Sequence, residues 1–403
     1  MAKVNIDEQK VDEILERGTI VKILPDKKEF REKLLSGQKM RFYIGFDPTA
    51  PILHLSHAKN FILMEKFRQL GHEAIILFGD FTAMIGDPTG EKDARKQLSR
   101  GEIAQNVKKW KELIKPLINF DGQENPPKLM YNSEWLSKLK LEDLTNLAGN
   151  FTVQQMIERD MFQKRLKEKK PIYLHEFLYP LMQGYDSVVM NVDVEVCGND
   201  QIFNALIGRT LLKKLTGKDK YIVAVTLMEN PKTGELMSKS KEVGVFLGTS
   251  AKDIFGQIMA QPDEMIEILF VNNTYLSLKE IKNLLELNNS RDAKMRLALE
   301  VTKIFHGEEA AEKAKEEFIR VFSKKEAPEE AEILILPRKN IIDSLAESGA
   351  VKSKSEARRL INTGAIEIGG EKISDLNYLI NEKNEGKILQ IGKKRFYKIK
   401  IIC

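Results

Sequence analysis

The sequence predicts an α/β protein: a parallel sheet flanked by helices, continuing into an all-helical region and ending in a small basic α+β module. Three observations carry this prediction. Strand, breaker, helix and second strand follow one another between residues 41 and 78, which is the repeating unit of a parallel sheet. Residues 251–325 hold charged amphipathic helical periodicity with no strand signal. Residues 338–403 carry 14 Lys and Arg against 8 Asp and Glu, while the preceding 337 residues carry 50 against 51.

Taken in order, Arg41–Phe46 (RFYIGF) reads as a buried strand, broken by Asp47-Pro48-Thr49-Ala50-Pro51. From Leu55 the apolar residues Ala58, Phe61, Ile62, Phe67 and Leu70 keep the helical period, with Gly71 as a stop, and Ala74–Phe78 is the next strand. Ligands of such sheets sit at the carboxyl ends of the strands, so the first strand aims residues 47–54 at a binding site. Residues 99–180 are mostly helical in pattern around the turn-rich 121–128 (DGQENPPK), as an insertion would be. The alternation in Val188–Val196 predicts a strand, Gly198-Asn199-Asp200 turns into a helix near Gln201, and Tyr221–Thr226 returns as a strand. Residues 326–332 (EAPEEAE) read as a linker. Beyond it, Ser353–Asn362 makes a basic helix, with strands near Gly369-Gly370 and Phe396-Tyr397.

Composition narrows the function class. The chain has 403 residues, 42% of them hydrophobic, enough for two or three domains with cores of their own. No apolar run approaches the roughly eighteen residues of a membrane span, and the charged amino terminus lacks a signal-type core, so a cytoplasmic location and no membrane partner are expected. Two cysteines, Cys197 and Cys403, make neither a disulfide framework nor a zinc site. The basic tail on a near-neutral body points to a polyanion, most simply nucleic acid; a solubilising tail is the plainer alternative.

Two short motifs bear chemistry. His54 and His57 in His54-Leu55-Ser56-His57 share one face of a first helical turn, where free N–H groups favour a polyphosphate. Alone, the pair also fits half a metal site or two surface histidines. Met237-Ser238-Lys239-Ser240 falls in a glycine-flanked stretch, 231–248, predicted to be mobile; its lysine suits closure over phosphates, though an ordinary polar loop has the same composition.

Together, GFDPTAPILHLSH after the first strand and MSKS after the last, some 180 residues apart, resemble the two signatures of class I aminoacyl-tRNA synthetases. Three further stretches resemble the tyrosyl members of that class. They are Tyr43-Ile44-Gly45-Phe46-Asp47, Thr82 to Pro88 (TAMIGDP), and Tyr179-x-x-x-Gln183-x-x-Asp186 followed by Gly198-Asn199-Asp200-Gln201. The resemblance covers essentially the whole chain. It implies a Rossmann-type catalytic domain over 1–230 with a helical insertion near 120–175, the signature loop 231–248 and an α-helical anticodon-binding domain over 249–325. A linker, 326–337, and a basic RNA-binding module over 338–403, similar to ribosomal small-subunit protein S-four, would complete the chain.

The resemblance also implies roles. Tyr43 and Asp186 would hydrogen-bond a phenolic hydroxyl; Asp87, Tyr179 and Gln183, with Thr82 nearby, would hold an α-ammonium. Asp47 and Asp200 would contact the ligand amine and ribose, and Gln201 would orient the reacting carboxylate. Gly45 and Gly198 would let the backbone approach an adenylate. His54, His57 and Lys239 would stabilise pyrophosphate, with ATP as substrate and Mg²⁺ beside it, and no metal site built from protein groups. Lys354, Arg358 and Arg359 would face RNA. The implied partners are tRNA(Tyr), L-tyrosine and a second copy of the chain in a homodimer. Two residues depart from the pattern: Ser56 replaces a glycine and Leu236 a lysine. They motivate the rival reading of a catalytically inactive RNA-binding paralogue, while Tyr43 and Asp186 argue against a tryptophan-specific enzyme.

Overall fold

The computed structural model describes residues 4–402 apart from 88–97, 119, 121–123, 238–243, 288, 324–331 and 393–394. The chain forms two compact units, Met1–Ala311 and Glu312–Cys403.

The first unit is built on six strands: β1 (Ile20–Leu24), β2 (Arg41–Phe46), β3 (Glu73–Phe78), β4 (Lys128–Tyr131), β5 (Val194–Gly198) and β6 (Tyr221–Val225). Their spatial order is β1-β6-β5-β2-β3-β4. β2 through β6 run parallel, and β1 closes one edge antiparallel to β6. The connections run outward in opposite directions from the central pair β5 and β2. That reversal opens a crevice at the carboxyl ends of these two strands. The helix Leu55–Gln69 follows β2 and packs Ala58, Phe61, Ile62 and Phe67 into the core, Phe67 stacked on Phe42 with ring centroids 4.3 Å apart.

Three local expectations need correction. β4 lies inside the span expected to be a helical insertion; the helices Ser133–Leu136, Leu141–Ala148, Val153–Ile157 and Asp160–Lys167 come after it. Four residues behind Pro126-Pro127 are too few to display a period. The strand expected over Val188–Val196 begins only at Val194, because Val188 and Val189 finish the helix Leu178–Val189 and Asn191 turns the chain at φ 47°. An apolar helix end and an apolar strand had merged into one run. Finally, Glu332–Pro337, placed in the linker, is a strand, β7. The acidic composition ends at Glu332, and ILIL follows it.

The helices Ala251–Met259, Ile266–Asn273, Leu278–Glu286 and Ser290–His306 belong to the same unit as the six-stranded sheet. Asn273 Nδ2 donates to the Leu55 carbonyl at 2.9 Å, and Arg17 donates to the Val271 and Thr274 carbonyls at 2.7 and 2.8 Å.

The second unit has β7, β8 (Ile366–Ile368), β9 (Glu371–Lys372), β10 (Ile388–Ile391) and β11 (Arg395–Ile402), ordered β7-β11-β10-β8-β9. The helices Ile341–Glu347 and Lys354–Asn362 cover a core that includes Leu336, Leu345, Ala357, Ile361 and Leu389.

Candidate active site

β2 ends at Phe46, and residues 47–54 bend over the crevice. The helix Arg100–Ile114 holds this segment from outside, Asn106 donating to the Pro48 carbonyl at 2.8 Å and Trp110 to that of Ala50 at 2.7 Å. The next residue to turn into the site, Asp47, accepts from Thr82 Oγ1 at 2.6 Å and from the Tyr179 hydroxyl at 2.9 Å. Gly79 lies so close that a Cβ there would fall against the Asp47 carboxylate and the Thr82 hydroxyl.

On one side of the crevice the polar groups form two hydrogen-bonded chains. Asn132 donates to Thr82 Oγ1 at 3.0 Å and to Asp186 at 3.3 Å, and the Trp135 indole donates to the other Asp186 oxygen at 2.7 Å. Burial pushes the Asp186 carboxyl well above the usual range, against the pull of these two donors. Tyr43 is buried, its hydroxyl 3.0 Å from Ser187 Oγ, and burial followed by the Glu195 charge keeps the phenol protonated. Gln183 donates to Glu195 at 3.0 Å and accepts from Asn204 at 2.9 Å; Asn204 also donates to Gln201 at 2.8 Å, and Gln201 to Asp87 at 2.6 Å. Arg159 completes the line, 3.3 Å from Asp87. The structure therefore gathers these residues into two hydrogen-bonded networks, Thr82, Tyr179 and Asp186 in one and Tyr43, Gln183, Gln201 and Asp87 in the other.

The other side is the amino end of the helix Leu55–Gln69. His54 and His57 lie with ring centroids 4.1 Å apart, and His57 Nδ1 accepts from the His54 N–H at 3.4 Å, which leaves the proton of a neutral His57 on Nε2. Burial holds both imidazoles neutral, His54 down to about 4 and His57 well below its usual value. The buried Nδ1 of His54 has no hydrogen-bond partner among the described residues. Lys59, buried one turn on, is pulled down to about 7 by burial, with the Asp200 charge opposing. Asp200 itself is exposed and accepts from Gln201 at 3.2 Å. Gly45 is exposed on β2, and at Gly198 a Cβ would fall against the Asp200 carboxylate.

Lys239 lies outside the described residues. The flanking chain is fixed on both sides: Glu229 bridges Leu236, and Phe246 bridges His54, with Leu55 donating to the Val245 carbonyl at 3.0 Å and Leu247 to that of Leu53 at 2.9 Å. Lys354, Arg358 and Arg359 belong to the second unit and are exposed, Arg359 on the opposite face of their helix from buried Ala357 and Ile361. Lys354 is paired with Asp343 at 2.7 Å.

Comparison with known proteins decides the family. Residues 35–323 match the model of tRNA synthetases class I (W and Y), and residues 325–399 that of the tyrosine–tRNA ligase C-terminal domain. Curated tyrosine–tRNA ligases of Carboxydothermus hydrogenoformans and Aquifex aeolicus are 40% and 41% identical, each alignment covering 96% of this chain and 97% of the relative. The chain belongs to the tyrosine–tRNA ligases, a family of class I aminoacyl-tRNA synthetases. A C-terminally truncated mitochondrial tyrosyl-tRNA synthetase of Aspergillus nidulans matches with a TM-score of 0.66 over 78% of this chain and 94% of that one; at 24% identity it speaks for the fold.

Among ligases of this family, the residues that sequence reasoning missed here are the supports: Asn132, Trp135, Arg159, Ser187, Glu195, Asn204 and Lys220. Asn132 was findable, since it follows β4 at the carboxyl end of the sheet, had that strand been recognised. Glu195 carried a signal too, an acid in the middle of an interior strand that requires a partner. Lys220, in Lys218-Asp219-Lys220, reads as a solvated turn and carried none.

Proposed function

We propose that this chain is a tyrosine–tRNA ligase: it activates L-tyrosine with ATP to tyrosyl-adenylate and pyrophosphate, then transfers the tyrosyl group to the 3′ end of tRNA(Tyr). The observation that carries the reading is the buried end of the crevice, where Tyr43 and an Asp186 carboxylate fixed by Trp135 and Asn132 stand as a donor–acceptor pair suited to a phenol. A substrate lacking the hydroxyl would leave the Tyr43 proton and a remaining acceptor site of Asp186 unmatched in a dry site. Asp87, Tyr179, Gln183 and Thr82 hold the α-ammonium, and Gln201, bonded to Asp87, presents the carboxylate.

That carboxylate attacks the α-phosphorus in line, forming the mixed anhydride as the bond to pyrophosphate breaks. Neutral His54 and His57, at the positive end of the helix dipole, and Lys239 stabilise the leaving group; Asp47 and Asp200 hold the ligand amine and ribose, where Gly45 and Gly198 admit the adenylate. In the second step a terminal ribose hydroxyl of tRNA attacks the acyl carbon and AMP leaves. Mg²⁺ would enter with ATP, bound to its phosphates, and no step here depends on it. The helices over 249–325 take the anticodon, Lys354, Arg358 and Arg359 take RNA phosphates, and the ligase works as a homodimer in the cytoplasm. No helix among the described residues is long and apolar enough to cross a membrane.

Amino-acid-dependent ATP–pyrophosphate exchange tests the proposal. Exchange with tyrosine but not phenylalanine or tryptophan, abolished in Lys239→Ala, is the expected result; no exchange with any of the three would favour an RNA-binding paralogue without catalysis.

A further inference from the structure

Beneath the phenol end lies an ion pair that the activation reaction does not use. Lys220, the residue immediately before β6, has a side chain 0% exposed and is paired with Glu195 of β5, itself 2% exposed. Its ammonium also donates to Ser187 Oγ at 2.7 Å and sits 5.8 Å from the centre of the Tyr43 ring. Gly208 makes room for it, since a Cβ there would come within 2.7 Å of Nζ. Replacing such a buried pair with apolar side chains of similar volume is often neutral or stabilising, so stability alone is a weak reason for keeping it. Its place under Tyr43 supplies a better one.

Donor and acceptor rules fix the direction of the bonds. An ammonium only donates, so Ser187 Oγ accepts from Lys220. The single Ser187 proton has two acceptors in reach, Tyr43 Oη at 3.0 Å and Glu195 Oε2 at 3.4 Å. Glu195 already receives Lys220 and Gln183. Either hydroxyl can donate across the Tyr43–Ser187 contact; with the Ser187 proton assigned to this shorter contact, Tyr43 accepts from Ser187 and keeps its own proton to give. Asp186, with Trp135 and Asn132 both donating to it, can only accept while ionised.

We infer that Lys220, acting through Ser187, is a positioning residue that sets the direction of hydrogen bonding in the phenol clamp, so that Tyr43 donates to a substrate hydroxyl and Asp186 accepts from it. The inference rests on the tyrosine-activating function proposed above. It extends the amino-acid specificity of the site to a lysine and a serine one layer below it.

The test is pyrophosphate exchange with tyrosine and phenylalanine on the wild type, on Ser187→Ala, and on the double variant Lys220→Met with Glu195→Gln, which leaves no lone buried charge. Both variants are expected to lose about tenfold of the preference for tyrosine over phenylalanine, through KM for tyrosine, with KM for ATP unchanged. Ser187→Ala retains the ion pair, so it remains decisive if the double variant does not fold. Equal losses for both amino acids, leaving the preference intact, would reduce the pair to a structural support and overturn the inference. A wild type without tyrosine-dependent exchange would overturn the activity itself, a separate and recognisable failure.

Discussion

The two ends of the crevice are built on opposite electrostatic plans. At the amino-acid end burial pushes the Asp186 carboxyl up while Trp135 and Asn132, both donating to it, favour its ionised form; at the nucleotide end two imidazoles are buried and pushed down, so His54 and His57 resist protonation. The first end is filled by its own hydrogen bonds, Trp135 and Asn132 on Asp186 in one network and Gln201 on Asp87 in another. The second presents an unmatched group, the Nδ1 of His54, which has no partner among the described residues. Preorganised groups select a ligand and unmatched groups await one, so the amino-acid end should govern KM for tyrosine and the nucleotide end kcat.

The largest effect expected from this division is at the histidines. His57→Ala should lower kcat for activation about 10²- to 10³-fold, the scale for losing one preorganised donor to developing charge, with KM for tyrosine little changed. A comparable rise in KM for tyrosine, read by steady-state exchange, would break the division.

Next is the pH dependence of stability without ligand, where the two ends have opposite signs. His54 is depressed from 6.5 to about 4, so its contribution is present above pH 6.5 and lost as pH falls toward 4, about 3 kcal/mol for this group. Asp186 is raised above 3.8, so its contribution is full below that value and lost as pH rises through its folded pKa. Melting temperatures between pH 4 and 8 should therefore fall less steeply toward acid in His54→Gln than in the wild type. Asp186→Asn should fall more steeply.

A smaller change is expected on removing one support. Trp135→Phe deletes the indole N–H that reaches Asp186 and should raise KM for tyrosine about tenfold, with kcat nearly intact. Smallest for activation is the basic tail: Arg358→Ala should leave pyrophosphate exchange unchanged, weaken tRNA binding severalfold and reduce the salt dependence of that binding by about one charge. A loss of exchange in that variant would join the tail to the activation chemistry.

What could be read in the sequence tracks how local each feature is. β2 and the helix after it announce themselves, because strand, breaker and helical period occupy adjacent residues, and the motif residues of the crevice were all nameable. β1 went unnoticed because IVKIL puts a lysine in the middle of a short edge strand, where one side faces solvent. β4 was too short to show a period. Lys220 and Glu195 stand 25 residues apart, and no spacing rule joins a turn lysine to a strand acid; only the parallel register of β5 and β6 makes them neighbours.

The contacts between Asn273 and Leu55, and between Arg17 and residues 271 and 274, bear on where the chain can be cut. A fragment stopped at residue 250 would strip the buried Arg17 guanidinium of two carbonyl partners and the Leu55 carbonyl of its Asn273 donor, the latter at the very turn that carries His54 and His57. Modularity in this ligase therefore begins after Ala311: the shortest piece that preserves the nucleotide end includes the helices beyond the sheet, and a Rossmann-type half by itself is not a unit of inheritance or of engineering.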